Sequence, residues 1–243
     1  MTRPFLRKVY IRCREGHPDN PNMFAAYDGF RQLGVETASF EGFGDIGTLS
    51  DLGPEVALSG FVGDVLAALK QLGKPSPPNI DYPDELRPWM GREVWRSTLG
   101  KIRRTVDPVF FKPVEEKLFT GFVWRSPDGD RMRVATLRDD VDVWVSECVD
   151  FVSEYRCFVN GGKIVGCRLY DGDWSRAPDR KVVESAVAAY RSSPQAYSID
   201  FGVTSDGRTL LVEVNDAYAL GAYGLPSVLY ANMVEARWSE LML

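Results

Sequence analysis

Residues Tyr197–Asn215 read YSIDFGVTSDGRTLLVEVN. Two alternating, apolar-rich runs flank Asp206-Gly207, a turn dipeptide, so the stretch is predicted to be an antiparallel hairpin. A two-residue turn sets Asp200 opposite Glu213 and Ser198 opposite Asn215. Side chains alternate along a strand, so these four residues share one face. A three-residue turn would break that pairing. Two carboxylates directly opposite one another repel and need compensation. A divalent cation would supply it, and oxygen-only ligands suit Mg²⁺, which completes its shell with water and phosphate oxygens. An exposed polar face on a half-buried hairpin is the other reading of the same pattern.

Outward from the hairpin, strand-like runs recur at Val109–Lys112, Gly121–Trp124, Arg131–Thr136, Val141–Glu147, Glu154–Val159 and Lys163–Tyr170. Asp128-Gly129 and Gly161-Gly162 are further turn signals, so the second half reads as an antiparallel α+β region. A helix, Arg180–Arg191, interrupts it, and Pro226 opens a last amphipathic helix. The first 75 residues alternate differently. Strands at Lys8–Cys13, Val35–Phe40 and Val56–Ser59 alternate with helices at Met23–Leu33 and Val65–Leu72, each ended by a glycine, which predicts a small parallel α/β unit. Gly60-Phe61-Val62-Gly63 is read as helix-start packing rather than a phosphate loop, since it lacks the glycine pattern and the lysine of one. The proline-rich run Lys74–Pro83 is taken as the boundary, giving regions 1–78 and 79–243. Glu85–Arg104 is expected to be a helix with a solvated basic face that includes Arg92 and Arg103.

The chain has 243 residues, enough to bury roughly 70% of its unfolded surface without staples. With 29 basic and 34 acidic residues the net charge is −5, a poor field for nucleic acid or an anionic membrane. No apolar run is long enough to span a bilayer, and the N-terminus is too polar for a secretory signal, so a cytoplasmic protein is expected. Four cysteines without a CxxC pair, and one histidine, His17, argue against zinc and against a histidine-dependent nucleophile. His17 is expected on a surface loop, and the cysteines reduced.

Two other runs carry chemistry. Lys112 ends an apolar strand, VFFKP, where a cation is costly unless it meets an anion. Lys117 follows five residues later, and such a pair can hold phosphate oxygens as point charges. Glu154 and Arg156 share a strand face in EYRCFV, and a surface ion pair is the plain reading of them.

Taken in order, strand-Lys-Pro, SECV, EYRCFVNGGKIVG, IDFGV and LLVEVND resemble the ATP-grasp superfamily over about residues 80–230. The chain looks most like its clade defined by one arginine and two lysines. EYRCFV is also similar to a eukaryotic cell-division-cycle family that assembles a translation initiation factor. The resemblance implies an α+β ATP-grasp fold, with antiparallel sheets sandwiching a nucleotide and a small N-terminal α/β region before it. It implies that Lys112 and Lys117 contact ATP, that Glu147, Cys148 and Val149 form the adenine hinge, and that Glu154 lies near ribose or metal. Arg156 or Arg168 would sit at the transferring phosphate, with Lys117 beside it. Asp200, Glu213 and Asn215 match the Mg²⁺ positions, which Mn²⁺ could also fill. One departure is the phosphate loop, where EEKLFTGF replaces the glycine- and serine-rich stretch of many relatives. The implied activity is a carboxylate–amine ligase that forms ADP and phosphate through an acyl phosphate, acting on small-molecule or peptide substrates. An ATP-binding assembly factor that ligates nothing is the rival expectation.

Overall fold

The computed structural model describes residues 5–115 and 118–243. In chain order the elements are β1 (Lys8–Arg14), β2 (His17–Pro18), α1 (Pro21–Gln32), β3 (Glu36–Phe40), α2 (Phe43–Ile46), β4 (Val56–Ser59) and α3 (Val62–Gln71). A 3-10 turn, Asp84–Leu86, leads into α4 (Arg87–Met90), β5 (Val94–Thr98), α5 (Leu99–Ile102), β6 (Val109–Pro113), β7 (Phe122–Trp124) and α6 (Pro127–Asp130). Then come β8 (Asp142–Ser146), β9 (Phe151–Asn160), β10 (Lys163–Gly172), α7 (Arg180–Ala189), β11 (Ala196–Thr204), β12 (Thr209–Asp216) and α8 (Ser227–Leu241).

Three sheets result among the described residues. In the first, β1 lies parallel to both β3 and β4, with β2 turned back antiparallel on its end. The second runs β5-β8-β6-β7 and the third β10-β9-β11-β12, both antiparallel. Mixed helix and antiparallel sheet is the expected α+β class. Burial alternates along β1, with Val9, Ile11 and Cys13 inside, as a strand with one covered face requires. Helices α1, α3 and α8 cover the first sheet. Gly29 lets α1 approach α8, because a Cβ there would stand 2.0 Å from the Ser227 carbonyl oxygen. His17 is exposed, Cys13 and Cys157 are buried, and all four cysteines are free. Among the described residues no helix is long and apolar enough to cross a membrane.

Two segments depart from the sequence reading. Glu85–Arg104 is not one helix. Gly91 adopts a left-handed φ of 61° and ends α4 after one turn. A side chain at Gly91 would meet Leu210, so the chain turns hard against β12 and re-enters as β5. Arg131–Thr136 is no strand either. Ser126 caps α6, and a 3-10 turn over Arg131–Val134 follows it. Asp128-Gly129 therefore lies inside a short helix rather than at a hairpin turn.

The third sheet positions the site. Cys157, Tyr197, Ile199, Phe201, Leu211 and Val214 form one face, buried with α7 and α4. The opposite face starts at Phe158, which belongs to the core shared with α8, and continues to Arg156, Asp200, Glu213 and Asn215. Full burial of each large apolar side chain contributes about 1.5–3 kcal/mol, so the sheet is fixed from both sides where the polar residues emerge.

Candidate active site

Asp200 pairs with Glu213, and Ser198 with Asn215, across β11 and β12. That is the expected register, reached by a different route. Thr204 N–H donates to the Arg208 carbonyl at 2.9 Å, which leaves a three-residue turn with Gly207 at φ 86°. The mismatch is absorbed by a β-bulge at Val212, between the Asp200–Glu213 and Phe201–Leu211 pairs. Leu211 therefore faces the core and Glu213 the site, although they are two residues apart.

Asp200 is fully buried, and Arg156, its partner on β9, grips it with Nε at 3.0 Å and Nη2 at 2.6 Å. Burial pushes the Asp200 carboxyl up to about 6, against the pull of Arg156. Glu213 has a different partner. Lys112 Nζ, at the end of β6, donates to Glu213 Oε2 and to Asp81 Oδ1, each at 2.5 Å. Asn215 Nδ2 donates to Asp200 Oδ2 at 3.3 Å and to Glu213 Oε1 at 3.1 Å. For Glu213 the cost of burial is outweighed by Lys112 and the Asn215 amide, so its carboxyl is held below the ordinary range. For Asp81 burial wins and its carboxyl is raised, and Asp81 Oδ2 has no hydrogen-bond partner among the described residues. Two side-chain cations thus neutralise the opposed carboxylates in this structure.

Glu213 lines each of three cavities formed by the described residues. A pocket of about 180 Å³ is bounded by Glu147, Cys148, Val149, Phe110, Phe151 and Glu154. A second, of about 170 Å³, is bounded by Asp81, Lys112 and Gly121. The third is a cleft of about 780 Å³, lined by Arg156, Tyr223, Asn215 and the starts of α1 and α3 at Asn22 and Gly60–Gly63. The GFVG run begins α3, as expected, and also forms a wall of this cleft.

The remaining candidates fall as follows. Glu147 is tied to Glu93, the residue before β5, its backbone N–H bonding the Glu93 carbonyl and its Oε2 accepting from Glu93 N–H at 3.0 Å. Cys148 is exposed. Glu154 and Arg156 form no ion pair with one another. Glu154 accepts from Tyr170 Oη at 2.6 Å, and burial raises its carboxyl, while Arg156 is committed to Asp200. Arg168 lies opposite Arg156 on β10 but outside the cleft lining, where it donates to the Gly224 carbonyl at 3.2 Å. Lys117 lies outside the described residues. Among the described residues no group of three His, Cys, Asp or Glu could hold a metal alone, so an Asp200–Glu213 cation site needs the Asn215 carboxamide oxygen. The donors are then all hard oxygens, which fits Mg²⁺ or Mn²⁺.

Sequence reasoning missed two residues here. Asp81, in the proline-rich run, is the second anchor of Lys112. Arg92, read as part of a solvated face, is mostly buried against β12 and bounds the pocket at Glu147–Val149. Only the unexplained cost of a lysine at the end of β6 pointed toward such partners.

The model of an ATP-grasp domain family, the second of the clade named for one arginine and two lysines, matches residues 89–233. No curated protein matches the sequence. Among solved structures, D-cycloserine synthetase DcsG is similar at 12% identity, covering 95% of this chain and 99% of that one with a TM-score of 0.63. D-alanine–D-alanine ligase from Bacillus anthracis is 14% identical over 94% of each chain, with a TM-score of 0.54. The ATP-grasp ligase PsnB, complexed with precursor peptide PsnA2 and AMPPNP, is 13% identical over 99% of each chain, with a TM-score of 0.52. These likenesses are of fold, and the match to the family model covers more than half of the sequence. The chain belongs to the ATP-grasp domains, in family 2 of the clade with one arginine and two lysines.

Proposed function

We propose that this protein is an ATP- and Mg²⁺-dependent ligase that joins a carboxylate to an amine through an acyl phosphate. One observation carries the reading. Glu213 is common to the hinge pocket, the Lys112 pocket and the larger cleft, so one carboxylate stands between a place for a nucleotide and a place for a second substrate. Similar solved structures bear on it too, since PsnB has been seen with AMPPNP and with Mg and ADP.

In this reading the hinge, Glu147–Val149, meets the adenine edge and Glu154 lies toward the ribose. Lys112 leaves Glu213 for the phosphates. Its charge survives the exchange, because both its present partners and a triphosphate are anionic, and they hold its ammonium protonated against burial. Asp200, Glu213 and Asn215 are the residues that would hold Mg²⁺, which when bound screens the charge of the outer phosphates. Arg156 keeps Asp200 fixed and presents the rest of its guanidinium to the cleft. A substrate carboxylate oxygen attacks the γ-phosphorus, the bond to the bridging oxygen breaks, and ADP leaves. An amine in the cleft then attacks the acyl carbon, phosphate departs, and the amine proton passes to phosphate or water. The protein supplies position and charge and needs no nucleophile of its own.

The test is nucleotide titration with and without Mg²⁺, followed by chromatography of products over a panel of amino acids and short peptides. Glu213→Gln is expected to lose about tenfold or more in Mg²⁺-dependent nucleotide affinity, about 1.4 kcal/mol. The products should be ADP and phosphate, with hydroxylamine trapping the acyl phosphate. Stoichiometric AMP overturns the mechanism. Tight nucleotide binding with no product across the panel transfers the assignment to an assembly factor.

A further inference from the structure

The register of the β11–β12 hairpin is not set by its turn. The turn closes on Thr204 and Arg208, and a regular ladder continued from there would place Val212 opposite Asp200. Glu213 and Asn215 would then point into the core with Ile199 and Tyr197, and the site would have no second carboxylate. Only the extra residue, Val212, returns Glu213 to the face of Asp200. A bulge breaks the ladder and has to be held by something else.

What holds it is Arg92. Its Nη1 donates to the Leu211 carbonyl at 2.7 Å and its Nη2 to the Val212 carbonyl at 3.1 Å. A regular strand turns consecutive carbonyls to opposite sides. At the bulge both reach a single guanidinium, whose fixed fork matches two acceptors better than any other side chain. The same Nη1 donates to the Met90 carbonyl at 3.1 Å, and Nε lies 3.4 Å from Ser146 Oγ at the end of β8. Arg92 thereby ties the bulge to α4 and to the strand that leads into the hinge. The left-handed turn at Gly91, packed on Leu210, aims it there. One step further along the same edge, Val214 N–H donates to the Asp81 carbonyl at 2.9 Å.

We propose that Arg92 is a positioning residue: its guanidinium holds the Val212 bulge, and the bulge puts Glu213 and Asn215 on the face of Asp200. Its consequence for nucleotide binding rests on the function proposed above, whereas its consequence for the strand does not.

The experiment is a cycle of Arg92→Gln and deletion of Val212, singly and together, with Arg92→Lys as the conservative variant. Deleting Val212 makes the hairpin regular while leaving Glu213 opposite Asp200, so it removes the need for Arg92. Amide hydrogen exchange of the 209–216 segment, without any ligand, reads the strand itself. Arg92→Gln should speed it by about tenfold or more, the size of one lost charge-assisted bond. Arg92→Lys, able to reach one carbonyl at a time, should fall between. In the deletion background Arg92→Gln should change exchange by less than about threefold, as sites that no longer share a partner do. Nucleotide titration then reads the consequence. Arg92→Gln should remove the Mg²⁺-dependent part of the affinity, and deletion of Val212 should restore it.

Unchanged exchange in Arg92→Gln overturns the proposal. So does an equal loss of nucleotide affinity with and without Mg²⁺ that persists in the deletion background, since that marks Arg92 as a direct contact in the hinge pocket. If Arg92→Gln does not fold alone but folds when Val212 is deleted, the proposal stands. Failure to fold in both backgrounds overturns it in favour of a general role in stability. A wild-type protein without Mg²⁺-dependent nucleotide binding rejects the proposed function and leaves the exchange measurement decisive for Arg92.

Discussion

Asp200 and Glu213 face one another across the same two strands and bear the same charge, yet their surroundings divide them. Arg156 seals Asp200, whose side chain is 1% exposed, with two parallel bonds from the neighbouring strand. Lys112 reaches Glu213, 25% exposed, from another sheet, shares itself with Asp81, and borders open space. An arginine fork on a buried carboxylate is a fixture, because neither ion can leave without stranding the other. A lysine at the end of its own strand, with two competing carboxylates, can change partners when an anion arrives. The difference assigns structure to one half of the pair and exchange to the other.

The largest expected effect tests that division by stability alone. Arg156→Met should cost about 3–5 kcal/mol in urea unfolding, since it leaves a fully buried carboxylate without its cation. Lys112→Met should cost about 1–2 kcal/mol, because Glu213 keeps the Asn215 amide and its access to solvent. Equal losses would abolish the distinction between the halves.

How far this contrast could be read from the sequence follows from how local each contact is. The opposition of Asp200 and Glu213 was legible because strand alternation and a turn lie within twenty residues of each other. Even so, the expected turn was wrong in length, and the bulge at Val212 compensated for it. The pattern could not show the bulge, since Leu211 and Glu213 look like residues of one face. Lys112 was legible as a misplaced charge, but its anions were not, as Asp81 and Glu213 are 31 and 101 residues away. Arg92 was misread outright. Charges spaced through Glu85–Arg104 imitate a helix face, and nothing local reveals that Gly91 turns the chain onto β12, 119 residues on. The fold was more legible than the site because helices and hairpins are short-range objects, whereas the ion pairs join separate sheets.

A second, smaller effect separates the halves by the sign of their pH dependence in metal- and nucleotide-free buffer. Asp200 has a folded value raised to about 6 from 3.8, so the native state binds the extra proton between these values. Its contribution is present below the lower value and is lost as pH rises through that window. Glu213 is shifted the other way, below 4.5, so its contribution is present above that value and is lost as pH falls through the folded one. Asp200→Asn should therefore flatten a decline in stability from about pH 4 to 6, and Glu213→Gln should flatten a rise on the acid side of about pH 4.5. Each slope is bounded by about 1.4 kcal/mol per pH unit for one proton. Urea midpoints at half-unit intervals read both, and slopes of one sign in the two variants would break the comparison.

The smallest effect concerns Asp81, and it sharpens the idea that the Lys112 half is built for exchange. Asp81→Asn keeps the shape of the side chain and its place beside Lys112 but removes a carboxylate whose burial already disfavours its charge. Loss of the ion pair and relief of that desolvation offset one another, so stability should move by no more than about 1 kcal/mol in either direction. The larger change should be in what Lys112 does. With Asp81 neutral, Lys112 has one anionic competitor instead of two, and the pocket repels a triphosphate less. Nucleotide affinity should then rise by up to about fivefold, roughly 1 kcal/mol, and the gain should shrink in added salt as the Coulombic part is screened. Lys112→Met alone should weaken binding, and in that background Asp81→Asn should restore only the salt-sensitive repulsion. A loss of affinity in Asp81→Asn would mean that Asp81 holds Lys112 in its working position rather than competing for it. Lys112 would then be as fixed as Arg156, and the two halves of the carboxylate pair would be alike after all.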